Sequence, residues 1–244
     1  MTDTFKNSLA NCRIVLCETN HAGNIGAAAR AMKTMGLSAL YLVKPQHFPS
    51  DEATRRASRA SGVLEHAHVC ATLSEALSGV TLAVACSART REIAAPEMDA
   101  RNAAARLATV AATQPVALVF GNETYGLTTA EVSLCQLIAT IPADPQYASL
   151  NLAAAVQVFA YELRQAVLGG GPGGKPRIRA SHEALEGFYK HLESALLETG
   201  YLNPEHPKKL MQRLRRLYAR AELEQEEVNI LRGVMRTLRL PRKS

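Results

Sequence analysis

Three segments of the chain place small polar or charged side chains among glycines and prolines, a pattern typical of ligand-binding loops. The first, His21–Arg30 (HAGNIGAAAR), follows an apolar run and opens a helix. Gly23 and Gly26 permit a tight turn with close backbone approach, and Asn24 can cap the helix. Arg30 lies on the helix face that Gly26 also reaches, where an arginine can grip a phosphate or a ribose. A simple turn without function would use the same glycines, and this alternative stays open.

The second segment runs from an apolar strand, Val116–Phe120, into a loop that holds Glu123 between Gly121 and Gly126. Open α/β sheets bind ligands at the carboxyl ends of their strands, which is where this glutamate falls. The alternative is a helix-capping loop with an exposed glutamate.

The stretch Cys86–Ala88 also follows an apolar strand, so it fits the same kind of strand-end site.

The third segment, Ile141–Gln157, begins after a further apolar run. Pro142 and Pro145 stiffen its loop, and Ser149 and Asn151 stand at the start of a long apolar helix. Capping of that helix by Ser149 would explain one of these two polar residues but not both.

Elements that would position these loops alternate along the first two thirds of the chain. Alternating strands and helices predict an α/β fold, a mainly parallel sheet flanked by helices. The long helix Leu150–Leu168 is apolar around most of its circumference, which indicates burial on more than one side, in the core or at a subunit interface. The strands are predicted at Arg13–Cys17, Ala39–Val43, Thr81–Cys86, Val116–Phe120 and Leu137–Ile141, with helices including Gly26–Met35 and Arg101–Ala112.

We divide the chain into a catalytic domain at residues 1–168, a flexible linker at 169–180 and a helical extension at 181–244. The linker has the G-x-x-x-x-G-K spacing of a phosphate loop, but Pro176 stands where a Ser or Thr would bind magnesium, and no strand precedes it. A glycine-rich linker is therefore favoured. Helices in the extension are predicted at Ser181–Thr199, Pro207–Arg220 and Glu224–Leu238.

The formal charge of +6 is unevenly distributed. Acidic and basic residues balance over residues 1–168, so the whole excess falls in the last third of the chain, which favours a polyanion as partner. The second helix of the extension carries a basic face that could follow RNA phosphates, although a solvated surface helix has the same pattern. Its basic residues are Lys208, Lys209, Arg213, Arg215, Arg216 and Arg220.

Composition excludes several classes of protein. No apolar run reaches eighteen residues and the N-terminus lacks the apolar core of a signal peptide, so we expect a cytoplasmic protein that does not enter membranes. The five cysteines form no C-x-x-C pair, which favours reduced, buried thiols. His66 and His68 have no third potential ligand at a spacing typical of metal-binding motifs, so no metal site is predicted.

Taken together and in order, the three segments resemble the SpoU-TrmD (SPOUT) superfamily of methyltransferases. The shared patterns are N-x-G-x-x-x-R, F-G-x-E-x-x-G-L and I-P…S-L-N, and the resemblance covers roughly residues 12–168. Further similarity at Ile14–Thr19, Ala31–Leu37 and Asn229–Gly233 is typical of the bacterial tRNA (cytidine/uridine-2′-O-)-methyltransferases that modify position 32 of the anticodon loop.

That resemblance implies a trefoil knot near the end of the catalytic domain, a homodimer with its site near the interface, tRNA as substrate and S-adenosylmethionine as cofactor. It also implies a polar site at Asn24, Arg30, Glu123, Ser149 and Asn151. The loops expected to bind the cofactor contain Cys86, Ser87, Ala88, Gly121, Ile141, Ala148, Ser149 and Leu150.

The expected reaction is attack of a ribose 2′-oxygen on the sulfonium methyl group, which requires alignment of the two and loss of the hydroxyl proton. Because an arginine side chain is effectively always protonated, we expect Arg30 to orient the ribose and stabilise developing negative charge. Asn24 and Ser149 would hold Arg30 or the ribose, and Glu123 and Asn151 would brace the loops. The alternatives are methylation of ribosomal RNA and a non-catalytic RNA-binding protein of the same fold.

Overall fold

The computed structural model describes residues 8–88, 96–169 and 178–238. Within these ranges, seven strands form one sheet in the order β3-β2-β1-β6-β4-β7-β5, and every pair is parallel. This confirms the α/β prediction. The strands are Cys12–Cys17 (β1), Ala39–Val43 (β2), His68–Cys70 (β3), Leu82–Cys86 (β4), Glu97–Asp99 (β5), Val116–Phe120 (β6) and Leu137–Thr140 (β7).

Helices cover both faces of the sheet and build the C-terminal region. Five predicted strands are confirmed to within a residue at each end, whereas the short edge strands β3 and β5 were missed. The helices are Ala22–Met35 (α1), Asp51–Ala57 (α2), Ser61–Glu65 (α3), Leu73–Ala76 (α4), Ala100–Ala111 (α5), Thr129–Ser133 (α6), Leu152–Leu168 (α7), His182–Glu198 (α8), Leu210–Ala221 (α9) and Gln225–Leu238 (α10).

Successive strand residues point to opposite faces, so the sheet contributes to two separate cores. Ile14 and Leu16 belong to the larger core, which is completed by α1, α5 and α7, while Val15 and Cys17 belong to a smaller core on the other face. A third core joins α8 to α10. The five cysteines are free thiols, and four of them are buried as predicted, whereas Cys86 is half-buried.

The helix α7 has two different sides. Its inner side is buried between α1 and α5, with Phe120 of β6 packing edge-on against Phe159 at a ring distance of 5.6 Å. Its outer side leaves Tyr161 and Leu168 exposed by 48% and 53%. The apolar circumference of this helix is therefore only partly buried within a single chain.

The glycines of the first segment serve helix packing rather than a turn, which corrects the sequence interpretation. Both lie inside α1, which begins at Ala22. A Cβ at Gly26 would lie 2.0 Å from the carbonyl oxygen of Ala53, and one at Gly23 would lie 2.8 Å from Oε1 of Glu52. At Gly26 the neighbour is backbone, so only glycine allows α1 to approach α2 this closely, whereas at Gly23 the neighbour is the end of a flexible side chain.

The C-terminal helices attach to the amino ends of the central strands. The backbone N–H of His182 donates to the carbonyl of Val80, and that of Gly79 donates to Oε1 of Glu183, at 2.8 and 2.7 Å. Glu222 bridges Arg106 of α5 and Arg179. These contacts dock the extension at the edge of the sheet where β4 and β6 begin.

Most of the predicted linker, residues 170–177, lies outside the described residues, and the predicted knot and domain limits stay predictions. The predicted helix Pro207–Arg220 begins three residues later, at Leu210. None of the helices in the described part of the chain has the length and apolar character that a membrane crossing requires.

We expect Gly26→Ala to lower the free energy of unfolding by about 1–3 kcal/mol, because the new methyl group overpacks the contact between α1 and α2. Urea denaturation measures this change. The matched control is Gly62→Ala in α3, where a Cβ meets open space and better helix propensity should raise stability by up to about 1 kcal/mol. Equal stabilities of the two variants would contradict the packing role of Gly26.

Candidate active site

A cavity of about 440 Å³ opens at the carboxyl ends of β4, β6 and β7. Its volume falls within the range of about 300–1,000 Å³ that small-molecule sites occupy. Ala139, Ile141 and Phe159 give it an apolar wall, and the start of α1 adds His21 and Asn24. The residues predicted to bind the cofactor all lie in its lining: Cys86, Ser87, Ala88, Gly121, Ile141, Ala148, Ser149 and Leu150.

Close backbone packing shapes the loops around this cavity. The N–H of Ser87 donates to the carbonyl of Ala139 at 3.0 Å, which ties the loop after β4 to β7. A Cβ at Gly121 would lie 2.2 Å from the carbonyl carbon of Gly126. Gly126 itself has a φ of 70°, the left-handed region that glycine adopts without strain. The two glycines of the second segment are therefore required by the fold of this loop.

The carboxylate of Glu123 joins the second segment to the first. It accepts hydrogen bonds from the backbone N–H groups of Asn20 and His21, at 2.9 and 3.3 Å, and from Nδ2 of Asn24 at 2.9 Å. Glu123 therefore fixes both the backbone before α1 and the orientation of the Asn24 amide. The loop does cap a helix, since Thr128 forms a capping box with Glu131 at the start of α6, but Glu123 is half-buried rather than exposed.

The same chain of hydrogen bonds continues into the third segment. Since Asn24 donates to Glu123, its Oδ1 is free to accept from Nδ2 of Asn151, at 3.0 Å. Oδ1 of Asn151 then accepts from the N–H groups of Ala153 and Ala154, at 2.9 and 3.4 Å, and caps α7. The acceptor-only carboxylate thus sets the direction of every bond in the chain.

Two expectations about helix caps are corrected by these bonds. Asn24 lies inside α1, whose first residue follows His21, and no side chain of the described residues caps this helix. The cap of α7 is Asn151, not Ser149. Ser149 is exposed in the lining of the cavity.

Glu123 is held in its ionised form. Partial burial by itself would raise its pKa, but the hydrogen bonds from Asn24, Asn20 and His21 outweigh that effect and lower the pKa. The carboxylate is therefore charged at neutral pH and occupied by donors. This makes it an organising group for the loops and a poor proton acceptor.

A second set of hydrogen bonds between the same loops was not predicted from the sequence. Glu18, directly after β1, accepts a hydrogen bond from the hydroxyl of Tyr125, and its carbonyl accepts from Nδ2 of Asn122 at 2.6 Å. The bond to Glu18 raises the pKa of Tyr125 to about 12. Neither Glu18 nor Tyr125 carries a local sequence signal, because their pairing depends on the neighbouring positions of β1 and β6.

Four of the five residues of the predicted polar site come together at the cavity, and Arg30 does not. Asn24, Glu123, Ser149 and Asn151 line it. Arg30 is exposed two turns into α1, outside the lining. Among the described residues, no group of three or more His, Cys, Asp or Glu side chains is placed to hold a metal ion.

The basic helix α9 presents a narrower cationic face than its sequence suggested. Arg215 turns inward, donates to both carboxylate oxygens of Glu186 at 2.5 and 2.8 Å, and stacks over the ring of Tyr189. The remaining cations are exposed, and most of them repeat at helical spacing along one face. Arg213, Arg216 and Arg220 belong to α9, and Lys208 and Lys209 immediately precede it.

Comparisons with known proteins agree with this architecture. Residues 11–161 match the SpoU rRNA Methylase family, and residues 183–243 match the C-terminal domain of the tRNA methyltransferase TrmJ. The chain is 47% identical to the tRNA (cytidine/uridine-2′-O-)-methyltransferase TrmJ of Escherichia coli (strain K12), over 94% of this chain and 96% of that protein.

Solved structures show the same similarity. TrmJ from Z. mobilis ZM4 superimposes with a TM-score of 0.83 at 35% identity, covering 93% of this chain and 99% of that one. An AdoMet-bound rRNA methyltransferase from Sinorhizobium meliloti matches with a TM-score of 0.50 at 25% identity, over 63% of this chain and 56% of that one. The chain therefore belongs to the SpoU methylase family of the SPOUT methyltransferases and carries a C-terminal domain of the TrmJ type.

Proposed function

We propose that this protein transfers a methyl group from S-adenosylmethionine to the ribose 2′-hydroxyl of cytidine or uridine at position 32 of tRNA. The observation that carries the proposal is the hydrogen-bonded chain Glu123–Asn24–Asn151 at the mouth of a ligand-sized cavity. The E. coli and Z. mobilis relatives support tRNA as the substrate class. Position 32 follows from the motif resemblance. A tRNA substrate implies the cytoplasm as the working compartment.

The charge of the cavity fits this cofactor. Histidine apart, Glu123 is the one lining side chain among the described residues that is charged at neutral pH. A lining with a carboxylate and an apolar wall suits a cationic sulfonium better than a phosphate-rich cofactor. The AdoMet-bound relative from S. meliloti supports the same choice. We assign cofactor binding to the loops around Ser87, Gly121 and Leu150.

When bound, the cofactor supplies an electrophilic methyl group with a good leaving group, so the protein has to align the 2′-oxygen and stabilise charge on it. Asn24 and Ser149 lie where they can contact the ribose. Glu123 positions Asn24 and the backbone before α1. Arg30 donates to the developing oxyanion as a permanent cation, since a guanidinium does not act as a base at neutral pH.

We further propose a homodimer. The outer side of α7 exposes Tyr161 and Leu168, and Arg30 lies on the exposed side of the adjacent α1. Pairing of two copies through this face would cover the apolar side chains and bring Arg30 close to the interface. That location explains how an arginine outside the cavity lining of its own chain serves the reaction.

Arg30→Ala is expected to fold and to bind S-adenosylmethionine as the wild type does, while kcat for transfer of labelled methyl to tRNA falls by about 10²–10³-fold. Calorimetric titration of the cofactor reports binding separately from chemistry. Lys33→Ala, one turn further along the exposed face of α1, is the matched control and should keep near-normal turnover. Near-normal turnover of Arg30→Ala would remove this residue from the mechanism.

Glu123→Gln should lower kcat by up to about 10²-fold with little change in cofactor affinity, because an amide cannot accept from all three donors and the Asn24 amide loses its orientation. The lowered pKa of Glu123 adds a pH signature. In the wild type the network is intact above this pKa and is lost as pH falls through it, so the variant should lack that acid limb. The exposed carboxylate control, Glu65→Gln, should keep the wild-type profile; an unchanged profile in Glu123→Gln would contradict the positioning role.

The exposed cations of α9 should contact phosphates, so the affinity for tRNA should fall as salt rises. Combined substitution Arg213→Gln, Arg216→Gln and Arg220→Gln should reduce the slope of log affinity against log salt by roughly 2, at about 0.7 per contact. Fluorescence anisotropy with labelled tRNA measures the slope. Lys190→Gln, an exposed lysine on α8, should leave it unchanged. A slope that the triple variant shares with the wild type would exclude α9 from RNA binding.

A further inference from the structure

A second, more open cavity lies beside the first and shares His21 with it. Its remaining lining comes from the start of α1, the loop after β2 and the first turn of α2: Asn20, Ala22, Gln46, His47, Ser50 and Glu52. All but one of these side chains can donate or accept hydrogen bonds. Both cavities lie at the carboxyl ends of strands and both are lined by His21, so an extended chain bound across His21 would reach both.

The walls of the second cavity are held in place by bonds from three elements. Glu123 fixes the backbone of Asn20 and His21. The N–H of Gln46 donates to the carbonyl of Thr19 at 3.1 Å. Ser50 caps α2 by accepting from the N–H of Glu52 at 3.2 Å. The backbone of His21, which borders both cavities, is therefore held by the same carboxylate that orients Asn24.

The side chains near this cavity include one acid in the lining and two arginines beyond it. Glu52 lies in the lining, where a carboxylate disfavours a phosphate but can accept from the amino or imino group of a nucleobase. Arg55 and Arg56 are exposed on α2, three and four residues further, and so on the same helix face. No ion pair joins either arginine to a carboxylate within the described ranges. A nucleobase within the cavity, with its phosphate beside Arg55 and Arg56, fits this arrangement.

We propose that the second cavity binds the base of the nucleotide next to the methylated one, with Gln46, His47 and Glu52 reading its edge and Arg55 and Arg56 holding its phosphate. Unstacked bases of single-stranded RNA loops are recognised in this way, through hydrogen bonds to their edges. The inference rests on the proposed methyl transfer to tRNA. It adds a subsite that makes the enzyme sensitive to the sequence around its target.

Full-length tRNA transcripts in which the base on either side of the target is changed in turn test the proposal. For the wild type, kcat/KM should differ by about tenfold between the best and worst base at one flank. The double variant Gln46→Ala and His47→Ala should lose most of this discrimination while keeping its cofactor affinity, which reports correct folding. Arg55→Gln with Arg56→Gln should reduce the salt slope of tRNA binding by roughly 1.4, at about 0.7 per contact.

The triple variant of α9 is the matched control, since it should bind tRNA more weakly yet keep the full discrimination between flanking bases. Retained discrimination in the Gln46 and His47 double variant would overturn the subsite, as would a wild type that is indifferent to both flanks. A wild type that methylates no tRNA would instead refute the proposed function, so the two failures are distinguishable.

Discussion

The ionised carboxylate of Glu123 is the constraint on which the candidate site depends. Its three hydrogen-bond donors belong to the segment that begins α1. One of them is the amide of Asn24, which Glu123 orients so that its oxygen accepts from Asn151 at the N-terminus of α7. Since a carboxylate can only accept, each asparagine in the chain has one allowed orientation. One charged group thereby aligns loops that follow three different strands, and the cost of its partial burial is offset by the bonds it receives.

The candidate active site and the attachment of the C-terminal helices lie at opposite ends of the strands. The carboxyl ends of β4, β6 and β7 form the cavity, and the amino ends of β4 and β6 hold the C-terminal helices through Val80 and Gly79. Within one chain, the exposed cations of α9 therefore belong to a region anchored at the opposite end of the strands from the proposed methyl-transfer site. An RNA that contacts both regions has to extend along the domain, or reach the site of a second copy.

The sequence predicted those elements that are recognisable from their buried apolar residues. It did not predict features that depend on contacts between distant parts of the chain. The central strands are fully buried apolar runs, such as Val116–Phe120, and were predicted closely, whereas β3 and β5 lie at the sheet edges and carry exposed side chains. Capping of α7 by Ser149 was considered from the sequence, but Asn151 caps the helix with Oδ1 while its Nδ2 donates to Asn24, a contact between distant segments that the sequence does not show. Arg215 was counted as a surface cation because its partner Glu186 lies on another helix.

The most direct measurement is transfer of labelled methyl from S-adenosylmethionine to total RNA by the purified protein, followed by separation of tRNA from ribosomal RNA, nuclease digestion and mass mapping of the product. We expect one 2′-O-methylated pyrimidine, at position 32 of the anticodon loop. Label in ribosomal RNA alone, or no transfer by a protein that binds the cofactor, would contradict the proposed function.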